Sequence, residues 1–200
     1  LEAATRNASF LLSSLWVDNR LLRTWKDGRS KLLGYLEDYA LLINGLLSLY
    51  EATFDTRWID TARELGDSII ELFWDPVQEI FYDTGNDHEE LLVRPRELTD
   101  GATPSGGSVS VEAMLRLSLI TGNDAYRKIA GTTLRSMNKM LETHPTALTY
   151  WLSALDFYLS TPKEIAIIGA PEDPATNALL RVIFQKFQPN SVLAGSHVST

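Results

Sequence analysis

The sequence predicts a mainly α protein that is built from repeated pairs of helices and ends in a small β-α-β element. Three observations lead to this prediction: a strongly apolar helical segment, an amphipathic segment directly after it, and the recurrence of both segments further along the chain. Apolar residues at intervals of three and four positions indicate helices with a buried stripe. Helices of this kind bury their stripes by packing against one another.

The first helix pair is predicted at about residues 36–53 and from Asp55 onward. Leu41 and Leu42 widen the apolar stripe of the first helix, so this helix is expected to be buried on most sides. Asp55 is a favourable N-cap for the second helix, which has one apolar and one charged face. We therefore expect an inner helix followed by an outer helix.

The helix pair recurs at a constant offset of 68 residues, which aligns Leu47 with Leu115. In both copies a nearly continuous apolar helix precedes an amphipathic one. Further helical runs are predicted at residues 2–15 and 146–160, and Pro162 ends the second of these. Repeated inner and outer helices thus account for most of the chain.

The connection between the two helix pairs is expected to contain a β-hairpin. The dipeptide Asp75-Pro76 stops the preceding helix. Residues 79–83 have a strand-like composition, and residues 90–94 are expected to pair with them. Such a hairpin would lie across one mouth of the helix assembly.

The pattern changes in the last part of the chain. Residues 164–168 form a β-rich apolar run, and Asp173 or Pro174 begins an amphipathic helix. Residues 191–194 are expected to form a last strand. This order predicts one β-α-β unit that docks on the helical body.

Composition and charge exclude several function classes. The net charge is −8 without a block of Lys or Arg, and an acidic protein repels phosphate backbones. The absence of cysteine excludes disulfides, thiolate catalysis and cysteine-bound zinc. The apolar runs are too short to span a bilayer. We therefore expect no nucleic-acid or membrane partner and no cofactor, and we expect a cytoplasmic location.

Five segments occur together in this chain: Trp-Lys-Asp-Gly at residues 25–28, Gly-Tyr-Leu-Glu-Asp-Tyr-Ala at 34–40, Tyr-Glu-Ala-Thr at 50–53, Phe-Tyr-Asp-Thr-Gly-Asn-Asp-His-Glu-Glu at 81–90, and Asp-Gly-Ala-Thr-Pro-Ser-Gly at 100–106. Together they resemble the C-terminal region of the spermatogenesis-associated, thioredoxin-domain-containing family. The resemblance covers nearly the whole chain. The family pattern commonly has Asn after Ser-Gly, where this chain has Gly107.

The resemblance implies a partial α/α toroid of the six-hairpin type, similar to the toroids of N-acylglucosamine 2-epimerases and several glycoside hydrolases. Residues 1–160 would be its closing part, and residues 161–200 a small C-terminal α/β element. Because the chain begins at Leu1 and enters a helix at once, we expect a preceding portion with a thioredoxin-like domain and the first toroid helices. A partial toroid exposes an apolar face, so a homo-oligomer is also expected.

The first candidate site residues are carboxylates at the starts of the inner helices. Glu37 and Asp38 begin one inner helix, and Asp100 lies in the loop before the next. Equivalent helix ends open on one side of a toroid, so these groups are expected to converge as acid and base with Trp25 and Asp27 as ligand-binding neighbours. The alternative is structural, because helix N-termini favour acidic residues as caps and dipole partners.

A glycine-rich segment at residues 100–108 supplies further candidates. Thr103 and Ser105 are predicted to bind a ligand, with an N-cap and tight turn as the alternative. Tyr39, an aromatic residue, is a further candidate for ligand binding. His88 is a candidate base at the same mouth, and the alternative is an ordinary loop histidine. The polar loop around it lacks the spacing of a calcium-binding EF-hand, so no metal site is predicted.

The sequence is compatible with two functions. The first is a carbohydrate-active enzyme, an epimerase or glycoside hydrolase, that binds a small carbohydrate. The second is a non-catalytic scaffold that binds a ligand or a protein. A fold resemblance alone does not establish activity, so the choice depends on the site.

Overall fold

The computed structural model describes residues 1–170 and 173–196 of the chain. The helices of this part are α1 (Glu2–Leu15), α2 (Leu36–Thr53), α3 (Thr56–Phe73), α4 (Gly106–Thr121), α5 (Asp124–Ser136), α6 (Asn138–Thr143), α7 (Thr149–Leu159) and α8 (Pro174–Phe184). The strands are β1 (Trp16–Val17), β2 (Arg20–Lys26), β3 (Arg29–Leu33), β4 (Trp74–Asp75), β5 (Ile80–Phe81), β6 (Lys163–Ile168) and β7 (Ser191–Ser196). A short 3-10 turn at Pro145–Ala147 precedes α7.

The predicted helix pairs are confirmed. The apolar helices α2, α4 and α7 lie side by side, while the amphipathic helices α3 and α5 pack against them. Asp55 caps α3 by accepting a hydrogen bond from the backbone N–H of Arg57. Asn44 and Glu112, which the 68-residue offset relates, meet across α2 and α4, where Asn44 Nδ2 donates to Glu112 Oε2 at 3.0 Å.

One continuous core joins the helices, and its largest members are aromatic. Trp58, Tyr126 and Trp151 are fully buried within it. Burying a large apolar side chain contributes roughly 1.5–3 kcal/mol, so the packed helix faces dominate the stability of the fold. The Tyr126 hydroxyl also donates to Asp67 Oδ1 at 2.5 Å, which fastens α5 to α3. None of the helices in the described ranges is long and apolar enough to cross a membrane.

A three-stranded antiparallel sheet between α1 and α2 was not predicted. Strand β2 pairs with both β1 and β3, and Trp25 lies opposite Ser30. The turn consists of Asp27 and Gly28, whose φ angles are 51° and 74°. Two successive positive φ angles define a type I′ hairpin turn, for which Asp-Gly is a preferred sequence.

The prediction of a hairpin after α3 named the wrong partner strand. Strand β5 pairs with β4 immediately before it and not with residues 90–94, which form no strand. The Asp75 carboxylate closes the turn by accepting hydrogen bonds from the backbone N–H groups of Val77 and Gln78. This local turn brings β5 back onto β4 before the chain can reach a more distant partner.

The C-terminal β-α-β unit is confirmed for the described residues. Strands β6 and β7 are parallel and joined by α8. Strand β7 packs on α2 and α4, and a small apolar cluster of Phe54, Ile167 and Leu193 lies at this junction. The element therefore covers the C-terminal ends of inner helices. Residues 171–172 and 197–200 of the predicted C-terminal element lie outside the described residues.

Candidate functional site

A polar cleft of about 360 Å³ opens where α2 and α4 begin, and we call it the mouth cleft. Its walls carry three carboxylates and several hydroxyl groups. The lining residues are Tyr35, Glu37, Asp83, Glu97, Thr99, Gly101, Thr103, Pro104, Ser105 and Gly106. Convergent polar groups in a concave site of this size are typical of ligand-binding pockets.

Asp83 holds the two sides of the mouth cleft together. Its carbonyl oxygen accepts a hydrogen bond from Leu36 N at 2.9 Å, and its own N–H donates to the carbonyl oxygen of Pro95 at 3.0 Å. Its carboxylate Oδ2 accepts the backbone N–H of Glu97 at 2.6 Å. These three bonds connect the start of α2 to the segment that carries Glu97.

Glycine at position 106 allows the close contact between the starts of α2 and α4. A Cβ atom at Gly106 would lie 3.0 Å from the backbone nitrogen of Glu37. The next position is similarly restricted, because a Cβ atom at Gly107 would lie 2.9 Å from Cζ2 of Trp151. The indole ring therefore occupies the space that the asparagine of the family pattern would need.

Two carboxyl groups of the mouth cleft have pKa values that move in opposite directions. Burial raises the pKa of Asp83, and the negative charges of Glu97 and Glu37 add to this effect. Hydrogen bonds from the hydroxyl and backbone N–H of Thr99, at 2.6 and 2.9 Å, lower the pKa of Glu97. Environments that separate the pKa values of two carboxyl groups are how enzymes assign one as acid and the other as base.

Glu37 and Asp38 point into different cavities. Arg23 bridges them, with Nη2 at 2.9 Å from Glu37 Oε1 and Nη1 at 3.2 Å from Asp38 Oδ2. Glu37 lines the mouth cleft, whereas Asp38 lines an apolar groove of about 420 Å³ between α1 and α2. Asp38 also accepts the backbone N–H of Tyr35 at 2.8 Å as part of a capping box, and burial raises its pKa.

Asp100 acts as a connector between α4 and α7. Its Oδ1 accepts hydrogen bonds from Ser105 N at 3.0 Å and from Ser108 Oγ at 2.8 Å. Its Oδ2 accepts Tyr150 N at 2.8 Å and Trp151 N at 3.4 Å, in the first turn of α7. Both oxygens are thus used by the protein, which favours the capping alternative for Asp100.

Tyr39 is not available to a ligand, and this prediction is corrected. Its ring is 0% exposed, and its hydroxyl accepts hydrogen bonds from Arg20 Nη1 and from Leu21 N. It lies on the inward face of α2, one position after the capping carboxylate, so the helix directs it into the core.

Trp25 and Asp27 lie on the β2–β3 hairpin and line neither the mouth cleft nor the apolar groove. The Trp25 ring packs edge-on against Phe10 of α1 at 5.4 Å. Asp27 occupies the tight turn. Their positions serve the hairpin and its contact with the first helix.

His88 lies beside the mouth cleft. Its ring is 5.4 Å from that of Tyr35, a lining residue. Burial lowers its pKa, and the charge of Arg20 adds to this effect. Its Nε2 atom is buried and has no hydrogen-bond partner among the described residues. Asp87, the preceding residue, forms an ion pair with Arg20 at 2.7 Å that fixes this loop.

Thr103 and Ser105 both line the mouth cleft. Ser105 is also the N-cap of α4, since its Oγ accepts the backbone N–H of Ser108 at 3.2 Å. The N-cap alternative for Ser105 is thus present in the structure, and ligand binding by Ser105 stays a prediction. Thr103 is exposed, and ligand binding by it stays a prediction.

The sequence prediction missed Asp83 and Glu97. Asp83 was assigned to a strand and a polar loop, and Glu97 follows Pro95 in a segment without periodicity. A Glu-x-Thr turn and the position of an Asp directly after a short strand were the available signals. Within the described residues, no three His, Asp or Glu side chains come together as a metal site would require.

The structure is a mainly helical domain with a polar cleft where its inner helices begin, and comparisons with known proteins identify its family. The family model of glycosyl hydrolase family 47 matches residues 17–173. The chain therefore belongs to this family. A solved GH76 α-mannanase from Bacteroides thetaiotaomicron has a TM-score of 0.53 and 17% identity, covering 82% of this chain and 52% of that chain. This likeness shows an α/α toroid type of fold.

The resemblance to the spermatogenesis-associated family is also confirmed. Spermatogenesis-associated protein 20 of Mus musculus is 35% identical over 161 residues, which are 80% of this chain and 20% of the relative. The Homo sapiens protein is 32% identical over 201 residues, which are 95% of this chain and 26% of the relative. The chain thus spans about a fifth to a quarter of the length of these curated relatives.

Proposed function

We propose that the mouth cleft binds a carbohydrate and hydrolyses a glycosidic bond, with Asp83 as the general acid and Glu97 as the catalytic carboxylate. The observation that carries this proposal is the pair of carboxyl groups with oppositely shifted pKa values in one hydroxyl-lined cleft. Glycoside hydrolysis commonly requires one protonated and one ionised carboxyl group on the two sides of the scissile bond. Membership of glycosyl hydrolase family 47 supports hydrolysis over epimerisation.

In the proposed reaction, Asp83 transfers its proton to the oxygen of the leaving sugar as the glycosidic bond breaks. Oδ2 of Asp83 is held by Glu97 N, and within the described residues Oδ1 accepts no hydrogen bond. Oδ1 is therefore the atom that carries the transferable proton. Glu97, kept ionised by Thr99, either removes a proton from the attacking water or attacks the anomeric carbon itself.

The other polar residues of the cleft are proposed to bind the sugar. Glu37, oriented by Arg23, accepts hydrogen bonds from sugar hydroxyls. The hydroxyl groups of Tyr35 and Thr103 supply neutral donors and acceptors. Arg23 lies 4.7 Å from the centroid of the Tyr35 ring, which holds this ring in place at the rim.

The test is hydrolysis of a panel of aryl glycosides by this chain. We expect Asp83→Asn and Glu97→Gln each to lower kcat by about 10²–10⁴-fold, as acid–base catalysis predicts. Glu64→Gln, on the exposed face of α3, is the matched control and should leave kcat unchanged. Asp83→Asn should also remove the alkaline limb of the pH profile. Full turnover by both cleft variants would rule out these roles.

The second candidate is a non-catalytic binding scaffold. It is favoured by two carboxylates that are already bonded within the protein. Both oxygens of Asp100 accept hydrogen bonds, and Asp38 is bonded to Arg23 and to Tyr35 N. A scaffold would bind a glycan saturably, lose affinity in Glu37→Gln, and show no turnover of any glycoside in the panel. Capture of one protein with no glycan binding would instead indicate a protein-binding scaffold.

We further propose that the chain forms the closing part of a six-hairpin toroid, with residues 1–160 as that part. The partial coverage of the solved α-mannanase supports this. Four expectations stay predictions: the thioredoxin-like domain, the first toroid helices, a homo-oligomeric contact and a cytoplasmic location. Sedimentation velocity of the chain tests the homo-oligomer, because a monomer at all concentrations excludes it.

A further inference from the structure

A second cavity, of about 540 Å³, lies between the inner helices and the C-terminal β-α-β unit, and we call it the rear cavity. Glu51, near the C-terminal end of α2, lines it, whereas the mouth cleft lies at the start of the same helix. The two cavities are thus at opposite ends of the inner helices. The volume is in the range of small-molecule sites.

One ion pair of the rear cavity is satisfied within the protein. Arg116 Nη2 lies 3.0 Å from Glu51 Oε2, and both side chains are largely buried. Glu51 Oε1 also accepts the backbone N–H of Leu193 at 3.4 Å, which ties the pair to β7. These two opposite charges offset each other and leave little net field for a ligand.

Glu112, a second carboxylate of the rear cavity, forms no ion pair within the described residues. It lies one turn before Arg116 on α4 and accepts hydrogen bonds from two neutral donors, Asn44 Nδ2 at 3.0 Å and the Tyr150 hydroxyl. Burial raises the pKa of Tyr150, and its bond to Glu112 adds to this effect, so the hydroxyl remains a donor. Asn44 Nδ2 donates to both Glu112 Oε2 and the Tyr150 hydroxyl oxygen, while its Oδ1 is buried without a hydrogen-bond partner among the described residues.

The opposite wall of the rear cavity is cationic and aromatic. Lys186 is exposed and forms no ion pair within the described residues. Phe184 and Phe187 flank it, are 60% and 92% exposed, and belong to neither apolar cluster of the described residues. Exposed aromatic rings beside an open cavity are typical of ligand contacts.

We propose that the rear cavity binds a small zwitterion with an apolar side chain, the chemistry of an α-amino acid. Its ammonium group binds Glu112, its carboxylate binds Lys186, and its side chain packs against Phe184 and Phe187. A ligand with only a positive charge is repelled by Lys186, and one with only a negative charge is repelled by Glu112. A zwitterion gives Glu112 and Lys186 an opposite charge each at the same time. The proposal is independent of the carbohydrate chemistry of the mouth cleft.

Isothermal titration calorimetry with three probes tests this charge pattern. The probes are L-phenylalanine, phenethylamine, which lacks the carboxylate, and 3-phenylpropionate, which lacks the ammonium group. We expect saturable binding of L-phenylalanine with a Kd about 2- to 5-fold lower than that of either analogue, since one exposed charged contact is worth up to about 1 kcal/mol. Failure to bind L-phenylalanine, or equal affinity for phenethylamine, overturns the proposal.

Two variants and one control locate the site. Glu112→Gln should weaken L-phenylalanine binding by about 10-fold or more, because it removes a charge-assisted hydrogen bond. Lys186→Gln should weaken it by about 2- to 5-fold, and this exposed residue can be changed without loss of folding. Lys139→Gln, an exposed lysine on α6, should have no effect. Unchanged affinity in both Glu112→Gln and Lys186→Gln would show that the ligand binds elsewhere.

Discussion

Replacing Asp100 with alanine removes the carboxylate that ties the start of α4 to the start of α7. The variant removes the acceptor of three hydrogen bonds of 3.0 Å or less, from Ser105 N, Ser108 Oγ and Tyr150 N, and of a longer one from Trp151 N at 3.4 Å. The net value of a hydrogen bond is about 1 kcal/mol, so the free energy of unfolding should fall by about 3 kcal/mol. For a chain of this size, the melting temperature should fall by about 6–12 °C.

Urea denaturation followed by tryptophan fluorescence measures this change, since Trp151 lies at the start of α7. Asp100→Asn keeps one carbonyl oxygen and should lose about half as much stability. Asp60→Ala is the control, because Asp60 is exposed and its 3.8 Å contact with Arg63 contributes little. If Asp100→Ala unfolds at the same urea concentration as Asp60→Ala but abolishes glycoside turnover, Asp100 is a catalytic group and the capping argument is refuted.

Three further predictions concern packing, acidity and a buried hydroxyl. Gly107→Ala should lower the free energy of unfolding by about 1–3 kcal/mol, because the new Cβ meets the indole ring of Trp151. Gly45 has open space around it, so Gly45→Ala should raise the free energy of unfolding by about 0.5–1 kcal/mol. Urea denaturation measures both changes. The pKa of Asp83 is raised above its ordinary value of 3.8, so its contribution to stability is fully present below pH 3.8 and is lost as the pH rises through the folded-state pKa. Asp83→Asn should therefore gain stability relative to the wild type above about pH 4, which a pH series of urea curves measures. Tyr126→Phe should cost about 1–2 kcal/mol by calorimetry, because it removes the 2.5 Å bond to Asp67.

The helix pairs were predictable because their signal is local. The apolar stripe of α2 and the Asp55 cap depend only on residues within a few turns of each other. The small sheets were harder. The β2–β3 hairpin has a usable signal in Asp27-Gly28, but the pairing of β5 with β4 depended on a turn geometry that composition does not reveal.

The candidate site was predictable only in part. The start of α2 and the glycine-rich loop before α4 do form one cleft, and Glu37, Thr103 and Ser105 line it. Asp38 and Asp100 carry the same side-chain chemistry as Asp83. Their different roles depend on which backbone N–H groups lie within hydrogen-bond distance: the donor to Asp38 is the nearby Tyr35 N, whereas Asp100 also accepts Tyr150 N from a distant part of the chain.

The sequence by itself determined the helical class, the inner and outer order of the helices and the C-terminal β-α-β unit. Periodicity and capping are properties of neighbouring residues, so they can be interpreted without a structure. Only the tertiary structure decided which carboxylates face a cleft. The side chains at positions 37 and 38 differ by about 100° around the helix axis, and that rotation places Glu37 in the mouth cleft and Asp38 in the apolar groove.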